Sequence, residues 1–266
     1  MKMAFITLSR EGIALADRLR RAFADVDCYL HESAGPREGA TPFAHIHELT
    51  EQIFPCYGGL IYAVPCGVVV RSLAGCVRHK LTDPAVVVLD VGARWSISLL
   101  SGHEGGANAL ALEVANVLGA EPVVTTTTEA VKDVIAGVGC RRGAGREQIV
   151  AAVRAALQQA GVDIARVRLL ASADVKADEP GLREAAEELA LPLRIIPSAE
   201  IRSSPRAFTH SAFVQSKVGI PGVAEPTALL AGRRTQLLLP KTKFPGVTVA
   251  LAKECCMWSE SAQDIR

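Results

Sequence analysis

Residues 99–108 read Leu-Leu-Ser-Gly-His-Glu-Gly-Gly-Ala-Asn, which sets a hydroxyl, an imidazole, a carboxylate and a carboxamide among three glycines. Ser101 supplies a hydroxyl, His103 a group of a type that titrates near neutral pH, Glu104 an acid, and Asn108 a neutral donor and acceptor. Gly102, Gly105 and Gly106 allow a tight turn and close approach of the backbone to a ligand. An apolar strand-like run at 95–100 precedes the motif and a helical pattern follows it, so the order is strand, glycine turn, helix. Unpaired N–H groups and the positive dipole end at such a helix start favour a carboxylate, a phosphate or a developing oxyanion. Ser101 and Glu104 also have the spacing of a capping box, which would make Ser101 the cap of the helix and nothing more. That alternative leaves His103 unexplained, as well as two glycines that would each cost about 1 kcal/mol inside a helix.

Two other segments carry comparable groups. Residues 125–128 are four consecutive threonines. If they end a strand at 123–126, the hydroxyls of Thr126 and Thr127 face a crevice at the C-terminal edge of a parallel sheet, although threonine is also a favourable strand residue in its own right. Farther on, a short apolar strand at 135–138 leads into Gly139-Cys-Arg-Arg-Gly143 and then a helical stripe of Ile149, Val150, Val153 and Leu157. Arg141 and Arg142 stand where a helix start disfavours cations, which points to bidentate contacts with ligand carboxylates; the alternative is two solvated side chains.

The elements that must position these groups alternate strand and helix from the start. The class is α/β: two α/β domains, each with a largely parallel sheet flanked by helices. Strands are read at 3–8, 26–30, 59–64, 86–91 and 95–100, the last two joined through Gly92-Ala-Arg94 as in a hairpin. Helices are read at 13–23, about 43–54 and 67–77, with a polar loop at 35–42. Ala107, Leu110, Ala111, Val114 and Leu118 make a core-facing stripe after the glycine motif. Asp178-Glu179-Pro180 opens a helix striped by Leu182, Ala185, Ala186 and Leu189, with Lys176 just ahead of it. A strand at 193–196, a polar loop around 198–205, a helix within 221–231 whose first turn holds Glu225, and strands at 236–239 and 247–252 follow. The domain boundaries are 1–130 and 134–254, with a tail at 255–266.

The chain has 266 residues, 49% hydrophobic and 21% charged, enough for one large or two modest domains with real cores. A net charge of +1 excludes a strongly basic nucleic-acid binder. No apolar stretch approaches the roughly 20 residues of a membrane span. The opening apolar run is too short, and too soon followed by Arg10 and Glu11, to be a signal peptide, so the expected address is the cytoplasm. Cys28, Cys56, Cys66, Cys76, Cys140, Cys255 and Cys256 are odd in number and include no Cys-x-x-Cys pair, which disfavours zinc and disulfide frameworks and makes most of them small core residues.

Ala63-Val-Pro-Cys-Gly-Val-Val-Val-Arg71, Thr82-Asp-Pro-Ala-Val-Val-Val-Leu-Asp90 and Ser98-Leu-Leu-Ser-Gly-His-Glu-Gly-Gly-Ala-Asn108 together resemble the N-terminal domain of the CbiG family, the cobalt-precorrin-5A hydrolases of anaerobic cobalamin biosynthesis. Ala136-Gly-Val-Gly-Cys-Arg-Arg-Gly143, Lys176-Ala-Asp-Glu-Pro-Gly-Leu182, Ser211-Ala-Phe-Val214 and Val223-Ala-Glu-Pro226 resemble its C-terminal domain, which also occurs alone in CobE-type proteins. The resemblance covers most of residues 54–253. The family usually carries a further variable segment between the domains; here the threonine run leads into the second domain within about ten residues, so that segment is missing.

The resemblance implies hydrolysis of a δ-lactone on a contracted cobalt corrinoid, with the extruded carbon and its methyl leaving as acetaldehyde and cobalt-precorrin-5B as product. A tetrapyrrole substrate with many carboxylates calls for cations, and Arg71, Arg141, Arg142, Lys176 and Lys217 suit it. Ser101, Asn108, Thr126 and Thr127 join them as binding groups, and Gly102, Gly105 and Gly106 offer N–H groups to the lactone oxyanion. His103 suits the general base best, with Glu104 and Glu225 as alternatives. The carbon–carbon cleavage is then a retro-aldol step. Cobalt arrives inside the substrate, so no cofactor and no protein metal site are expected. The partners are the tetrapyrrole and neighbouring pathway enzymes, with no nucleic acid and no membrane. A non-catalytic corrinoid carrier is the competing reading. A nucleotide-binding domain fits less well, because neither glycine loop has dinucleotide or Walker spacing.

Overall fold

The computed structural model describes residues 1–255, the side chains of residues 212 and 213 excepted. Two units are present, Met1–Thr126 and a second from Thr127 onward. In the first, β1 (Met3–Thr7), α1 (Glu11–Ala22), β2 (Val26–His31), β3 (Thr41–Phe43), α2 (Ile46–Ile53), β4 (Gly59–Ala63), α3 (Cys66–Leu73), β5 (Ala85–Leu89), β6 (Trp95–Leu100), α4 (Ala107–Leu118) and β7 (Glu121–Val123) follow in order. The sheet runs β3-β2-β1-β4-β5-β6-β7. Alternate residues of the strands serve opposite layers. Phe5, Ile61 and Val87 pack with Leu15 and Leu19 of α1 and Leu110 and Val114 of α4. Ile6, Leu60 and Val86 pack with Leu49 and Ile53 of α2 and Val69 and Leu73 of α3. Strands buried on both faces need continuous apolar sequence, which is why they read as unbroken Val, Ile and Leu runs.

The first five strands are parallel, and then the sheet reverses. Asp90 accepts hydrogen bonds from the N–H of Arg94 (2.8 Å) and of Trp95 (2.9 Å) on one carboxylate oxygen and from Arg94 Nε (2.8 Å) on the other. This closes the turn and sends β6 back antiparallel to β5, with Val86 opposite Leu100. The glycine motif therefore emerges where β5 begins, at the edge opposite the carboxyl ends of the five parallel strands.

The second unit contains α5 (Thr127–Ala130), β8 (Val134–Cys140), α6 (Arg146–Ala160), β9 (Val167–Ala173), α7 (Pro180–Glu188), β10 (Leu193–Ile196), α8 (Ser198–Ser203), α9 (Ala212–Val218), α10 (Ala224–Leu230), β11 (Thr235–Phe244) and β12 (Val247–Glu254). Its sheet, β10-β9-β8-β12-β11, is parallel from β10 to β8 and antiparallel through the β11–β12 hairpin. α6 and α7 cover one face, on Ala136, Val138 and Leu170. α10 covers the other, and there Gly137 decides the spacing: a Cβ added to it would lie 1.9 Å from the Ala224 carbonyl oxygen and 2.7 Å from the Ala228 nitrogen.

Several boundaries differ from the sequence reading. The edge strand β3 falls where a loop and a helix start are expected; it exists through its ladder with β2, a tertiary contact. β7 ends at Val123, so the threonine run is not the end of a strand, and Thr127 lies in the single turn of α5. Residues 198–203 are helical, with Asp174 accepting from the Ser198 N–H (2.9 Å). Of the six described cysteines only Cys28 and Cys255 are buried, whereas Cys56 and Cys66 are exposed. Cys256 and the rest of the tail lie outside the described residues.

Gly137→Ala is expected to force α10 off β8 and lower stability by about 1–3 kcal/mol, as overpacking does, read as a fall in the urea midpoint with secondary structure retained.

Candidate functional site

The turn at 101–106 closes on itself. Ala107 donates its N–H to the Ser101 carbonyl (3.1 Å) and Asn108 its N–H to the Gly102 carbonyl (2.9 Å), so two of the helix-start donors expected to be bare are already satisfied. Gly106, at φ +84°, is the residue preceding α4, and no side chain caps the helix. The capping-box alternative therefore does not hold: the Ser101 hydroxyl is buried and has no partner among the described residues. Ser101 also takes φ +58° and is 7% exposed. A left-handed non-glycine residue costs roughly 1–2 kcal/mol and an unsatisfied buried hydroxyl about 1–3 kcal/mol. Gly105 makes this packing feasible, since a Cβ there would lie 2.3 Å from Ser101 Cβ.

Behind the turn is a brace. Asn108 accepts from the Ser98 hydroxyl (2.8 Å) and donates to the Thr126 hydroxyl (2.9 Å), which commits both ends of its amide and joins β6, α4 and the segment after β7. In front, the N–H groups of Gly102, Gly105 and Gly106 make no backbone hydrogen bond to a described residue. His103 and Glu104 are exposed. Lys80 Nζ pairs with Glu104 Oε1 and, as the largest influence, holds its carboxyl below the usual range.

Lys80 belongs to a loop missed in the sequence. The buried Asp83 accepts from the N–H groups of Arg78 (2.9 Å) and His79 (3.1 Å), folding residues 78–83 so that Lys80 reaches Glu104 of the glycine turn. The signal was Arg-His-Lys just ahead of Thr82-Asp-Pro, which resembles an ordinary solvated turn. Arg71 is exposed on α3, and its guanidinium returns to the Gly67 carbonyl (3.0 Å).

In the second unit, Arg141 and Arg142 are exposed in the loop between β8 and α6. Glu179, 4% exposed, accepts from the Gly143 N–H (3.0 Å) and from Lys176 Nζ (2.9 Å), with Arg142 Nε at 3.8 Å. The N–H that a ligand carboxylate would have sought is thus held by a carboxylate of the chain itself, and Lys176 is its counter-ion. The Gly143 N–H, then Lys176, keep the Glu179 carboxyl below the usual range. Glu225, 3% exposed, accepts from the Thr209 N–H (2.7 Å) and anchors that segment to α10. Lys217 is exposed on α9.

Among the described residues no three His, Cys, Asp or Glu side chains converge as metal ligands would. A cavity of about 550 Å³ beside α2 and β3 is lined by Tyr29, Phe43, His45 and Tyr57 with Glu32 and Glu48, a charge opposite to what a polycarboxylate requires. No helix among the described residues is long and apolar enough to cross a membrane.

Residues 48–129 match the family described as Cobalamin synthesis G N-terminal, and residues 134–252 match Cobalamin synthesis G C-terminus. The chain belongs to the CbiG family. A cobalt-precorrin-5A hydrolase of Salmonella typhimurium is 28% identical over 342 aligned positions, covering 94% of this chain and 97% of that protein. One of Priestia megaterium is 37% identical over 136 positions, 49% of this chain and 36% of that protein. Protein CobE of a Sinorhizobium species is 35% identical over 136 positions, 50% of this chain and 88% of that protein. The two CbiG matches are separated only by residues 130–133. An alignment longer than this chain also means that the Salmonella relative carries sequence with no counterpart here.

Because the folded Glu179 carboxyl lies below its unfolded value near 4.3, its stabilisation is present above about pH 4.3 and is lost as the pH falls through and below it. Glu179→Gln is expected to cost about 3–5 kcal/mol at pH 7 by leaving Lys176 unpaired. Urea unfolding should show that difference from wild type shrinking at pH 3.

Proposed function

We propose that this chain is a cobalt-precorrin-5A hydrolase, which opens the δ-lactone of its cobalt corrinoid substrate and releases acetaldehyde to give cobalt-precorrin-5B. The observation that carries this reading is the end-to-end correspondence with the Salmonella typhimurium protein of that name, 94% of one chain against 97% of the other. CobE corresponds to only half of this chain.

The turn supports the chemistry. Of the three candidate bases, Glu104 is paired to Lys80, with a lowered pKa that weakens it as a base, and Glu225 is buried against the Thr209 N–H. His103 remains, exposed and without a hydrogen bond to a described residue, to take a proton from the group that attacks the lactone carbonyl. The N–H groups of Gly102, Gly105 and Gly106 receive the oxyanion. Opening frees a hydroxyl; removing its proton breaks the adjacent carbon–carbon bond, acetaldehyde departs, and the electron pair stays on the macrocycle. Lys80 stands ready for a peripheral carboxylate at the turn, and Arg71, Arg78, Arg141, Arg142 and Lys217 are exposed cations of the same kind. Asn108 and Thr126 hold the turn in shape, and Lys176 serves Glu179.

Cobalt belongs to the substrate, and the protein brings no cofactor of its own. We place the reaction in the cytoplasm, with neighbouring pathway enzymes supplying and receiving the corrinoid. The short junction at residues 130–133 favours one other reading, a corrinoid carrier without catalysis.

The purified chain, given cobalt-precorrin-5A, should release one acetaldehyde per corrinoid. His103→Asn should lower that rate by about 10²-fold or more while corrinoid binding persists. Stoichiometric binding with no acetaldehyde above the uncatalysed rate would establish the carrier instead.

A further inference from the structure

Ser101 is left unexplained by water attack alone. It combines a left-handed backbone with a buried hydroxyl that no described residue satisfies, at the hinge where β6 ends and the turn into α4 begins. Two independent costs on one side chain are what a residue kept for chemistry shows, since folding alone would favour glycine at such a position. We propose that Ser101 is the nucleophile of lactone opening, so that the reaction passes through an acyl-serine; the inference rests on the hydrolase reading.

Three features of the turn support it. Ser101 shares with a nucleophile elbow a strained, left-handed position at the end of a strand followed by glycine, with four further residues before the helix. No acceptor competes for the Ser101 proton, and the N–H groups of Gly102, Gly105 and Gly106, without a backbone partner among the described residues, belong to the same turn. Gly105 packs directly against the serine, where an added Cβ would stand 2.3 Å from Ser101 Cβ and 3.2 Å from Ser101 Oγ. Glycine has no side chain to displace at that point, so the substrate reaches the oxygen by a shift of the Gly105 backbone.

The step balances without any redox partner. Ser101 Oγ gives its proton to His103 and bonds to the lactone acyl carbon. The ring carbon–oxygen bond breaks, and the leaving oxygen takes the proton back from His103. Acetaldehyde is lost from the freed hydroxyl arm as already described. Water then cleaves the serine ester, returning the serine hydroxyl and a carboxylate on the macrocycle.

Ser101→Gly tests this cleanly, because glycine accepts φ +58° and only the hydroxymethyl group is removed. Its thermal midpoint should equal or exceed that of wild type, corrinoid binding should persist, and acetaldehyde release should fall by about 10³-fold or more. In wild type quenched during turnover, peptide mapping should place the corrinoid acyl mass on Ser101, and acetaldehyde should appear in a burst equal to the enzyme. If Ser101→Gly fails to fold, the mapping on wild type decides. Retained turnover in Ser101→Gly, or turnover by wild type with neither burst nor adduct, overturns the nucleophile and leaves the hydrolase standing. No acetaldehyde from wild type overturns both.

Discussion

The turn closed by Asp90 determines where the chemistry of the first unit can take place. Five parallel strands would by themselves direct every ligand-binding loop to their carboxyl ends. By gathering the N–H groups of Arg94 and Trp95 and the Arg94 guanidinium, the Asp90 carboxylate reverses β6 and delivers the glycine turn to the other end of the sheet. There it meets residues 78–83, which run down to the start of β5 and are folded around Asp83. The Lys80–Glu104 pair, the anchoring of Asn108 and the seclusion of the Ser101 hydroxyl all follow from that placement.

The sequence made the elements of this arrangement legible where a pattern is local. The stripe of α4, the buried strands and the hairpin through Gly92 are each properties of a few adjacent residues, and all are present. What resisted reading was pairing. A Ser-x-x-Glu spacing says nothing about whether main-chain carbonyls already satisfy the helix start, and here those of Ser101 and Gly102 do. Asn108 looked like a ligand group because its partners, Ser98 and Thr126, lie 10 and 18 residues away along the chain. Lys80 is the converse case, a residue whose meaning comes from Glu104, 24 residues later. β9 gives a weak signal in the sequence because its Ala-Ser-Ala end offers little hydrophobic contrast, although the strand is almost wholly buried.

The second unit teaches the same lesson through charge. Two arginines at a helix start suggested ligand carboxylates, yet the adjacent Gly143 N–H is occupied by Glu179, an acid the sequence presented as a first-turn helix residue. Glu179 thereby converts Lys176 from a candidate substrate contact into a structural counter-ion. The glycines of the Ala136-Gly-Val-Gly run likewise have a packing role: Gly137 lies under the start of α10 with the Ala224 carbonyl closest to it, and Gly139 is crowded by Thr248 Oγ1 and then Val223. Motifs that identify a family can therefore record how its domains pack as much as what they bind.

The central claim is that the turn at 101–108 and the loop at 78–83 of the first unit receive the reacting end of the corrinoid. Amide hydrogen exchange on the His103→Asn variant, with and without bound cobalt-precorrin-5A, tests it most directly. The account predicts slowed exchange at residues 101–108 together with residues 78–83. Slowed exchange elsewhere, with both of these segments unchanged, would contradict it.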